Sequence, residues 1–321
     1  MIARPSVLCP VDFSASSRGA LRYAGTIAAH FGARLTLLAI NDPLLQEADE
    51  LDGPAHLAED TRKELERFVR QTFAQRLQGI SDIRLQVTTG KSAPEILRVA
   101  RESGCDLIVM SSHGVTGFRK MFFGSTTERV LRETTVPVLV TPGSDAGPEK
   151  LEDVTRLVRR VLAPVDLTGA TAHQLGIARA LAEAIHAPLV LVHVIEPIRA
   201  LATAQPQLAR VDAERRYRAE RELERAIENM PPAVRPEALV AYGEPAEEIA
   251  KVATDRDAGL IVMGLHSSAL LGPRMGSVTY RVLCLAHRLV LAIPPVPAGS
   301  IGLGATGEGA RDAVSPAIEQ S

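Results

Sequence analysis

Short apolar runs alternate along the chain with longer stretches in which apolar residues recur at helical spacing. Continuous apolar runs of roughly five residues predict strands that are buried on both faces of a parallel sheet. In the first half of the chain these runs cover residues 7–11, 35–40, 107–110 and 136–140, and a further strand is predicted at residues 83–88, where apolar and polar residues alternate. In the second half they cover residues 161–165, 189–195, 238–241, 260–263 and 289–293.

Amphipathic helices are predicted between these strands. The first follows Ser14, a candidate N-cap, and ends at Gly32. Further helices are expected at about residues 57–77, 94–102, 126–132 and 202–229. Strands that alternate with helices are joined by right-handed crossovers, which makes their sheets parallel. The pattern therefore predicts an α/β protein with two tandem, doubly wound, five-stranded parallel sheets.

The two halves also repeat each other in sequence. The segment Val-Leu-Cys-Pro-Val-Asp-Phe-Ser at residues 7–14 returns as Val-Leu-Ala-Pro-Val-Asp-Leu-Thr at residues 161–168. Later in each half, Gly124-Ser125 returns as Gly276-Ser277. A repeat of this length is a whole domain. We therefore predict a first domain at residues 1–142, a linker at 143–155, a second domain at 156–297 and a disordered tail rich in small residues and proline at 298–321.

Composition narrows the class of protein. The chain has 321 residues and a net charge of −2, so no basic field draws it to nucleic acid or to a membrane surface. No apolar run approaches the roughly 20 residues of a membrane helix, and no signal-peptide pattern is evident at the start. We therefore expect a cytoplasmic protein with neither nucleic acid nor membrane as a partner.

The three cysteines are scattered along the chain. Cys9, Cys105 and Cys284 form no CxxC pair, and no group of residues shows metal-ligand spacing. We expect the cysteines to behave as small buried hydrophobes, and we predict no metal site.

Glycines and polar residues follow the predicted strands at the edge where open α/β sheets bind ligands. Glycines allow close approach of backbone N–H groups, and a helix N-terminus attracts phosphate. An Asp at this edge could accept from a ribose hydroxyl or an adenine amine, and Arg119 and Lys120 could neutralise phosphate. Together these features predict a mononucleotide site. The candidates in the first half are Pro10, Asp12, Ile40, Met110, Ser111, His113, Gly114, Gly124, Ser125 and Thr126.

Structural interpretations of several of these residues remain open. Asp12 could cap the helix that follows it, and Ser125 with Glu128 fits a capping box. His193, on an apolar strand, is interpreted as a core histidine. Gly90-Lys91-Ser92 lacks the leading glycine of a P-loop and is interpreted as a helix start.

The loop motif Ser111-x2-Gly114-x9-Gly124-Ser125 resembles the ATP-binding signature of the universal stress protein family, Gly-x2-Gly-x9-Gly-Ser/Thr, and departs from it only at the first glycine. The resemblance extends over residues 5–295 in the tandem-domain form of the family. It implies a Rossmann-like fold related to the nucleotide α-hydrolases.

The resemblance also implies a ligand and an assembly. ATP, with or without Mg²⁺, would occupy the first half, with adenine and ribose at Asp12 and Ile40. Met110, Ser111 and His113 would flank the nucleotide, and the phosphates would contact Gly114, Gly124, Ser125 and Thr126. The last strands, 136–141 and 289–294, would pair antiparallel and make an intramolecular pseudo-dimer. Whether two chains form a homodimer is left open.

The corresponding loop of the second half departs further from the signature. Ser267 replaces the middle glycine, the spacer is one residue shorter, and Pro273 within it has no N–H to donate. We therefore expect weaker nucleotide binding in this half. Its candidate residues are Asp166, Val194, Met263, Gly264, His266, Gly276 and Ser277.

The resulting hypothesis is an ATP-binding regulatory protein of the stress response that acts on an unknown protein partner. No nucleophile with its base is evident, so we do not expect an enzyme, although slow ATP hydrolysis or self-phosphorylation at Ser125 is left open. The alternative is a stress scaffold of the same fold that binds no nucleotide, which the departures at Ser111 and Ser267 leave open. An adenylating enzyme of the related superfamily ranks third because its pyrophosphate motifs are missing.

Overall fold

The structure is a computed structural model. It describes residues 4–44, 54–73, 80, 82–112, 124–145, 147–148, 154–167, 171–198, 205–228, 230, 236–265, 267–268, 272–273 and 276–295. The predicted tail at 298–321 and the candidate residues His113, Gly114 and His266 lie outside the described residues.

Strands and helices alternate as the sequence pattern predicts. The strands are β1 Ser6–Val11, β2 Arg34–Asn41, β3 Ile83–Thr89, β4 Leu107–Ser111, β5 Val138–Thr141, β6 Val161–Pro164, β7 Leu189–Ile195, β8 Glu237–Tyr242, β9 Leu260–Gly264, β10 Ser267–Ser268, β11 Gly272–Pro273 and β12 Leu289–Ile293. The helices are α1 Ala15–Phe31, α2 Pro54–Phe73, α3 Ser92–Glu102, α4 Ser125–Glu133, α5 Val154–Leu157, α6 Thr171–Ala184, α7 Gln205–Glu228, α8 Pro245–Asp255 and α9 Ser277–Leu285. Among the described elements, the short helix α5 and the antiparallel pair of β10 with β11 were not predicted.

The two predicted sheets form one continuous sheet of ten strands in the order β3-β2-β1-β4-β5-β12-β9-β6-β7-β8. Each half is parallel, and the halves meet where β5 pairs antiparallel with β12, with Leu139 opposite Leu291. This confirms the expected pairing of the last strands. Because the strands of the two halves run in opposite directions, their carboxyl ends lie at opposite edges of the sheet.

Helices cover both faces of this sheet, which explains why its inner strands are apolar on both sides, whereas the outermost strands β3 and β8 carry polar residues and are only partly buried. On one face the buried cluster includes Leu37, Leu139 and Leu291, and on the other it includes Leu38 and Val290. Each cluster contains residues of both halves, so the core continues across the β5–β12 pair. Among the described residues, no helix has the length and hydrophobicity needed to span a membrane.

The helix after the first strand of each half ends in a left-handed residue. Gly32 has φ 60° after α1, and His186 has φ 53° after α6. The next backbone N–H then returns to the helix, from Ala33 to the Ala28 carbonyl and from Ala187 to the Ala182 carbonyl, at 2.9 Å in both cases. The same turn is therefore built with glycine in one half and with a strained side chain in the other.

Replacing the exposed His186 by glycine should raise the free energy of unfolding by about 0.5–1 kcal/mol, because glycine adopts a positive φ without a steric penalty. Thermal unfolding should then shift upward by about 2–4 °C. The matched control is Gly32→Ala, which meets nothing within 4 Å and isolates the conformational penalty, so it should be destabilising. A lower melting temperature for His186→Gly would contradict this interpretation.

The cysteines are buried to different degrees. Cys9 and Cys105 are buried, as expected, whereas Cys284 is only partly covered. Burial, together with the smaller effect of the nearby Asp12 carboxylate, raises the pKa of the Cys9 thiol from 9.0 to about 12. Burial also raises the pKa of Cys105 to about 11. The protonated thiols therefore stabilise the folded state fully below pH 9.0, and this contribution is lost as the pH rises towards these values.

Alkylation by iodoacetamide should modify Cys284 first, because the reactive thiolate is scarce and inaccessible at Cys9 and Cys105. Peptide mass spectrometry after brief exposure at mildly alkaline pH measures the order. Denatured protein, in which all three cysteines should react alike, is the control. Modification of Cys9 at the rate of Cys284 in the folded protein would show that the core opens at β1.

Candidate functional site

The described sequence candidates of the first half lie at the carboxyl edge of its sheet. The order β3-β2-β1-β4-β5 reverses direction between β1 and β4, which creates the switch-point crevice in which such sheets bind ligands. Pro10 and Asp12 lie at the end of β1, Ile40 near the end of β2, and Met110 and Ser111 at the end of β4.

A network of short-range hydrogen bonds holds the turn from β1 into α1. The Ser14 backbone N–H and hydroxyl donate to Asp12 Oδ1 at 3.1 and 2.6 Å. Ser14 Oγ in turn accepts from the Ser17 backbone N–H at 3.0 Å. Ser14 is therefore the N-cap, as predicted, and Asp12 orients the capping residue instead of capping the helix itself. The Asp12 side chain remains exposed at the edge of the sheet.

The residue after this aspartate is strained in both halves. Phe13 has φ 62° and Leu167, after Asp166, has φ 60°. A bulky side chain at positive φ is costly, and such strain concentrates at functional positions. The Phe13 ring packs edge-on against Phe68 with 5.7 Å between ring centroids, which helps to hold the turn. The recurrence of this conformation supports a common role for the two aspartates.

Helix α4 begins at the crevice with an uncapped N-terminus. Its N-cap is Gly124, with φ −61° and no side-chain capping bond, so the expected capping box is wrong. Ser125 is the first helical residue, and Glu128 binds Arg132 one turn further along. Because glycine has no side-chain acceptor, the N-cap does not itself bond to the first-turn N–H groups at the positive end of the helix dipole.

Backbone and side-chain bonds fix this helix start against the sheet. The Gly124 backbone N–H donates to the Ser112 carbonyl at 2.9 Å, and the Ser112 N–H donates to the Thr141 carbonyl at 3.0 Å. The buried Thr127 hydroxyl donates to the Ser111 carbonyl at 2.9 Å. Thr127 was not among the predicted site residues. Its counterpart in the second half is Thr279, whose hydroxyl donates to the Gly264 carbonyl at 3.3 Å. This recurrence of threonine is a signal in the sequence that could have revealed it.

A cavity of about 720 Å³ opens in front of this helix start. The predicted residues Ile40, Ser125 and Thr126 line it. Its walls also contain Gly90, Lys91 and Ser92, which the sequence indicated only as a helix start. Asp42 and Arg129, which also line it, were not predicted as site residues. The cavity therefore combines an apolar strand end, two cationic side chains and the starts of α3 and α4.

Gly90 is required by the geometry of this wall. It has φ 156°, and a Cβ at this position would lie 2.8 Å from Glu95 Cγ. The hydrogen bond from Arg98 holds the pKa of the Glu95 carboxyl below its usual 4.5, so Glu95 stays ionised and engaged with Arg98. The interpretation of this segment as a helix start is correct, since α3 begins at Ser92.

The second half arranges its equivalent residues around smaller spaces. Asp166 and Val194 line two adjoining cavities of about 220 and 440 Å³, and Met263 and Gly264 line the smaller one. Gly276 is the uncapped N-cap of α9, and Ser277 is its first residue.

Two polar side chains fill part of this crevice. The Gln174 amide donates to the carbonyls of Pro164 and Val262 at 2.7 and 2.8 Å, which bridges β6 and β9 at the switch point. His193 Nδ1 lies 2.9 Å from the Val165 carbonyl and donates to it, which agrees with its interpretation as a satisfied histidine. Among the described residues, no group of three or more His, Cys, Asp or Glu could hold a metal ion.

An open parallel sheet with a helix starting beside its switch-point crevice is the arrangement of mononucleotide-binding α/β proteins. The model of the universal stress protein family matches residues 4–142 and again residues 158–294. The chain therefore belongs to the universal stress protein family and carries the family's domain twice. This confirms the resemblance found in its loop motif.

Individual relatives agree with this assignment. Universal stress protein MJ0577 of Methanocaldococcus jannaschii is 30% identical over 156 residues, which cover 42% of this chain and 92% of that protein. A universal stress protein structure from Archaeoglobus fulgidus covers 91% of this chain and 97% of that chain at 20% identity with a TM-score of 0.61, which supports the fold alone. A universal stress protein solved in complex with cAMP covers 44% of this chain and 99% of that chain at 25% identity, with a TM-score of 0.34.

In the turn after β1, Ser14 stabilises the start of α1, whereas Asp12 faces the crevice. Ser14→Ala should lower the free energy of unfolding by about 1 kcal/mol, because the α1 start loses its capping acceptor. Asp12→Asn keeps an oxygen acceptor for Ser14 and should change stability by less than about 0.5 kcal/mol. Urea unfolding followed by circular dichroism compares the two variants. A larger loss for Asp12→Asn than for Ser14→Ala would show that Asp12 is chiefly structural.

Proposed function

We propose that the first half binds an adenine nucleotide, ATP with Mg²⁺, and that the bound nucleotide regulates association with a protein partner in the stress response. The observation that carries this proposal is the uncapped start of α4 at a cavity of about 720 Å³ that Lys91 and Arg129 also line. A helix N-terminus whose N-cap has no side-chain acceptor, with two cations nearby, suits a chain of phosphates.

The remaining groups fit the other parts of the nucleotide. Ile40 provides an apolar surface for a base, and the exposed Asp12 carboxylate provides an acceptor for ribose hydroxyls or an amine. Mg²⁺ needs few protein ligands because the phosphates carry it, and the Ser125 hydroxyl and the Asp42 carboxylate are oxygen groups in the wall. The proposal assigns His113 and Gly114 to the same site by the family signature.

The described cavity wall favours binding over catalysis. It contains the hydroxyls of Ser92, Ser125 and Thr126 and the carboxylate of Asp42, but none of its described lining residues is a histidine that could act as a base. A regulatory role therefore fits this site better than a committed reaction. In this proposal, residues 1–142 and 156–297 form two domains. The first of them binds the nucleotide, in the cytoplasm.

In the second half, the side chains at the crevice support the alternative of a scaffold that binds no nucleotide. Gln174 bridges the switch point there, whereas Ala20 occupies the corresponding place on α1 in the first half. The smaller space beside α8 and α9 leaves less room for a nucleotide. We assign this half a weaker nucleotide site or a purely structural role.

Isothermal titration of ATP with Mg²⁺ into nucleotide-free protein tests the proposal. We expect one site per chain, and Gly124→Asp should weaken it at least tenfold, or by about 1.4 kcal/mol. The new carboxylate takes the first-turn N–H groups and repels phosphate, yet aspartate is a favourable N-cap, so the fold is retained. Gly276→Asp, the same change in the second half, is the matched control and should leave this site intact.

The other outcomes are equally informative. Two sites, one of which survives Gly124→Asp and disappears in Gly276→Asp, would show that the second half also binds nucleotide. Competition by cAMP, the ligand of one solved universal stress protein, measures how far the phosphates contribute to affinity. No binding of ATP to the wild-type chain would overturn the proposal and leave the scaffold alternative.

A further inference from the structure

Helices α3 and α8 begin in the same way but with opposite charges. Gly90 and Gly243 precede them with φ of 156° and 146°, and their N–H groups donate to the carbonyls of Asn41 and Ile195 at 3.0 and 3.2 Å. The next residue is the N-cap, which is Lys91 in the first half. In the second half the N-cap is Glu244. A cation and an anion therefore occupy equivalent places beside the two candidate sites.

An arginine at one equivalent position has different partners in the two halves. Arg129 and Arg281 are each the fifth residue of a helix with a glycine N-cap. Arg129 Nε donates to Glu133 Oε1 on its own helix at 2.9 Å, and its side chain lines the large cavity.

Arg281 instead reaches across to α8. Its Nη1 donates to Glu244 Oε2 and its Nη2 to Glu247 Oε1, both at 3.0 Å. The positions equivalent to these two glutamates in the first half are Lys91 and Pro94, which offer no acceptor side chain. The bridge from α9 to α8 is therefore specific to the second half.

The cavity walls of the two halves also differ in charge. The described wall of the first cavity contains Lys91 and Arg129 against Asp42. The described wall of the smaller cavity in the second half contains the carboxylates Asp166 and Glu196 and neither lysine nor arginine.

The adjoining cavity beside α7 does not restore a positive charge. It is lined by Arg215 and Arg218, but also by Asp166, Glu196 and Glu222. Arg215 already binds Asp212 at 3.2 Å, and Arg218 binds Glu214 at 3.4 Å. Of these three cavity walls, that of the first half alone has more cations than carboxylates.

We propose that the charge at this position, Lys91 against Glu244, decides which half accepts a polyphosphate. In the first half Lys91 attracts phosphate and leaves Arg129 without a carboxylate from α3. In the second half Glu244 and Glu247 bind Arg281 in place of a phosphate and repel any other anion. The inference rests on the proposed function and identifies the specificity-determining residues of that site.

Reversing the charge in the first half is the first arm of the test. In the full-length chain, Lys91→Glu should lower the affinity for ATP with Mg²⁺ at least about tenfold in low salt, with a smaller difference as added salt screens the exposed charges. Adenosine, which has no phosphate, should bind both proteins equally. Arg101→Glu, an equal charge change at the other end of α3, is the matched control and should leave ATP affinity unchanged.

The second arm reverses the charge in the second half. With the first site disabled by Gly124→Asp, the added changes Glu244→Lys and Glu247→Gln should create one ATP site per chain that the Gly124→Asp parent lacks. Asp255→Lys in the same parent, a similar charge change at the far end of α8, should create none. Melting temperatures of all variants establish that they are folded.

The outcomes separate this inference from the function on which it rests. Binding of ATP by the wild type with an unchanged affinity in Lys91→Glu overturns the inference alone. So does the absence of a new site in the folded Glu244→Lys, Glu247→Gln protein, or an equal loss of adenosine and ATP affinity in Lys91→Glu. A wild-type chain that binds no ATP overturns the inference and the proposed function together.

Discussion

The antiparallel pairing of β5 with β12 is the constraint on which the rest of the structure depends. Each of these strands is apolar on both faces and would be an exposed sheet edge in an isolated half. Their pairing removes both edges and makes both buried clusters continuous between the halves. The antiparallel pairing also places the carboxyl ends of the two halves at opposite edges of the sheet. Each crevice is therefore built by its own half and can change independently of the other.

The two halves share the backbone features that a switch-point crevice requires. Positive φ at Phe13 and Leu167, the turns at Gly90 and Gly243, and a glycine before α4 and α9 all recur. They differ in side chains near the crevices. The N-cap is Lys91 in the first half and Glu244 at the equivalent position of the second half. Backbone turns set the architecture and are costly to alter, whereas an exposed charge can change with little effect on folding. The divergence between the halves therefore concerns the charged side chains near the crevices more than the fold.

Local signals in the sequence were reliable where the determining interaction is also local. The Ser14 cap and the Gly32 helix end were recognised because each involves residues a few positions apart. The expected capping box at Ser125 was wrong because the start of α4 is set by bonds to Ser111 and Ser112, across a loop of the chain. Residues that line the first cavity from α3, such as Lys91, were recognised only as part of a helix start.

The sequence by itself determined the order of strands and helices, the duplication and the membership of a family, because apolar periodicity and repeated motifs are written in consecutive residues. Only the tertiary structure decided that the halves form one ten-stranded sheet and that Lys91 and Arg129 share a cavity wall. It also decided that Arg281 binds Glu244 and Glu247. These contacts join residues far apart in the chain, and they depend on the packing of helices against strands, which no local pattern encodes.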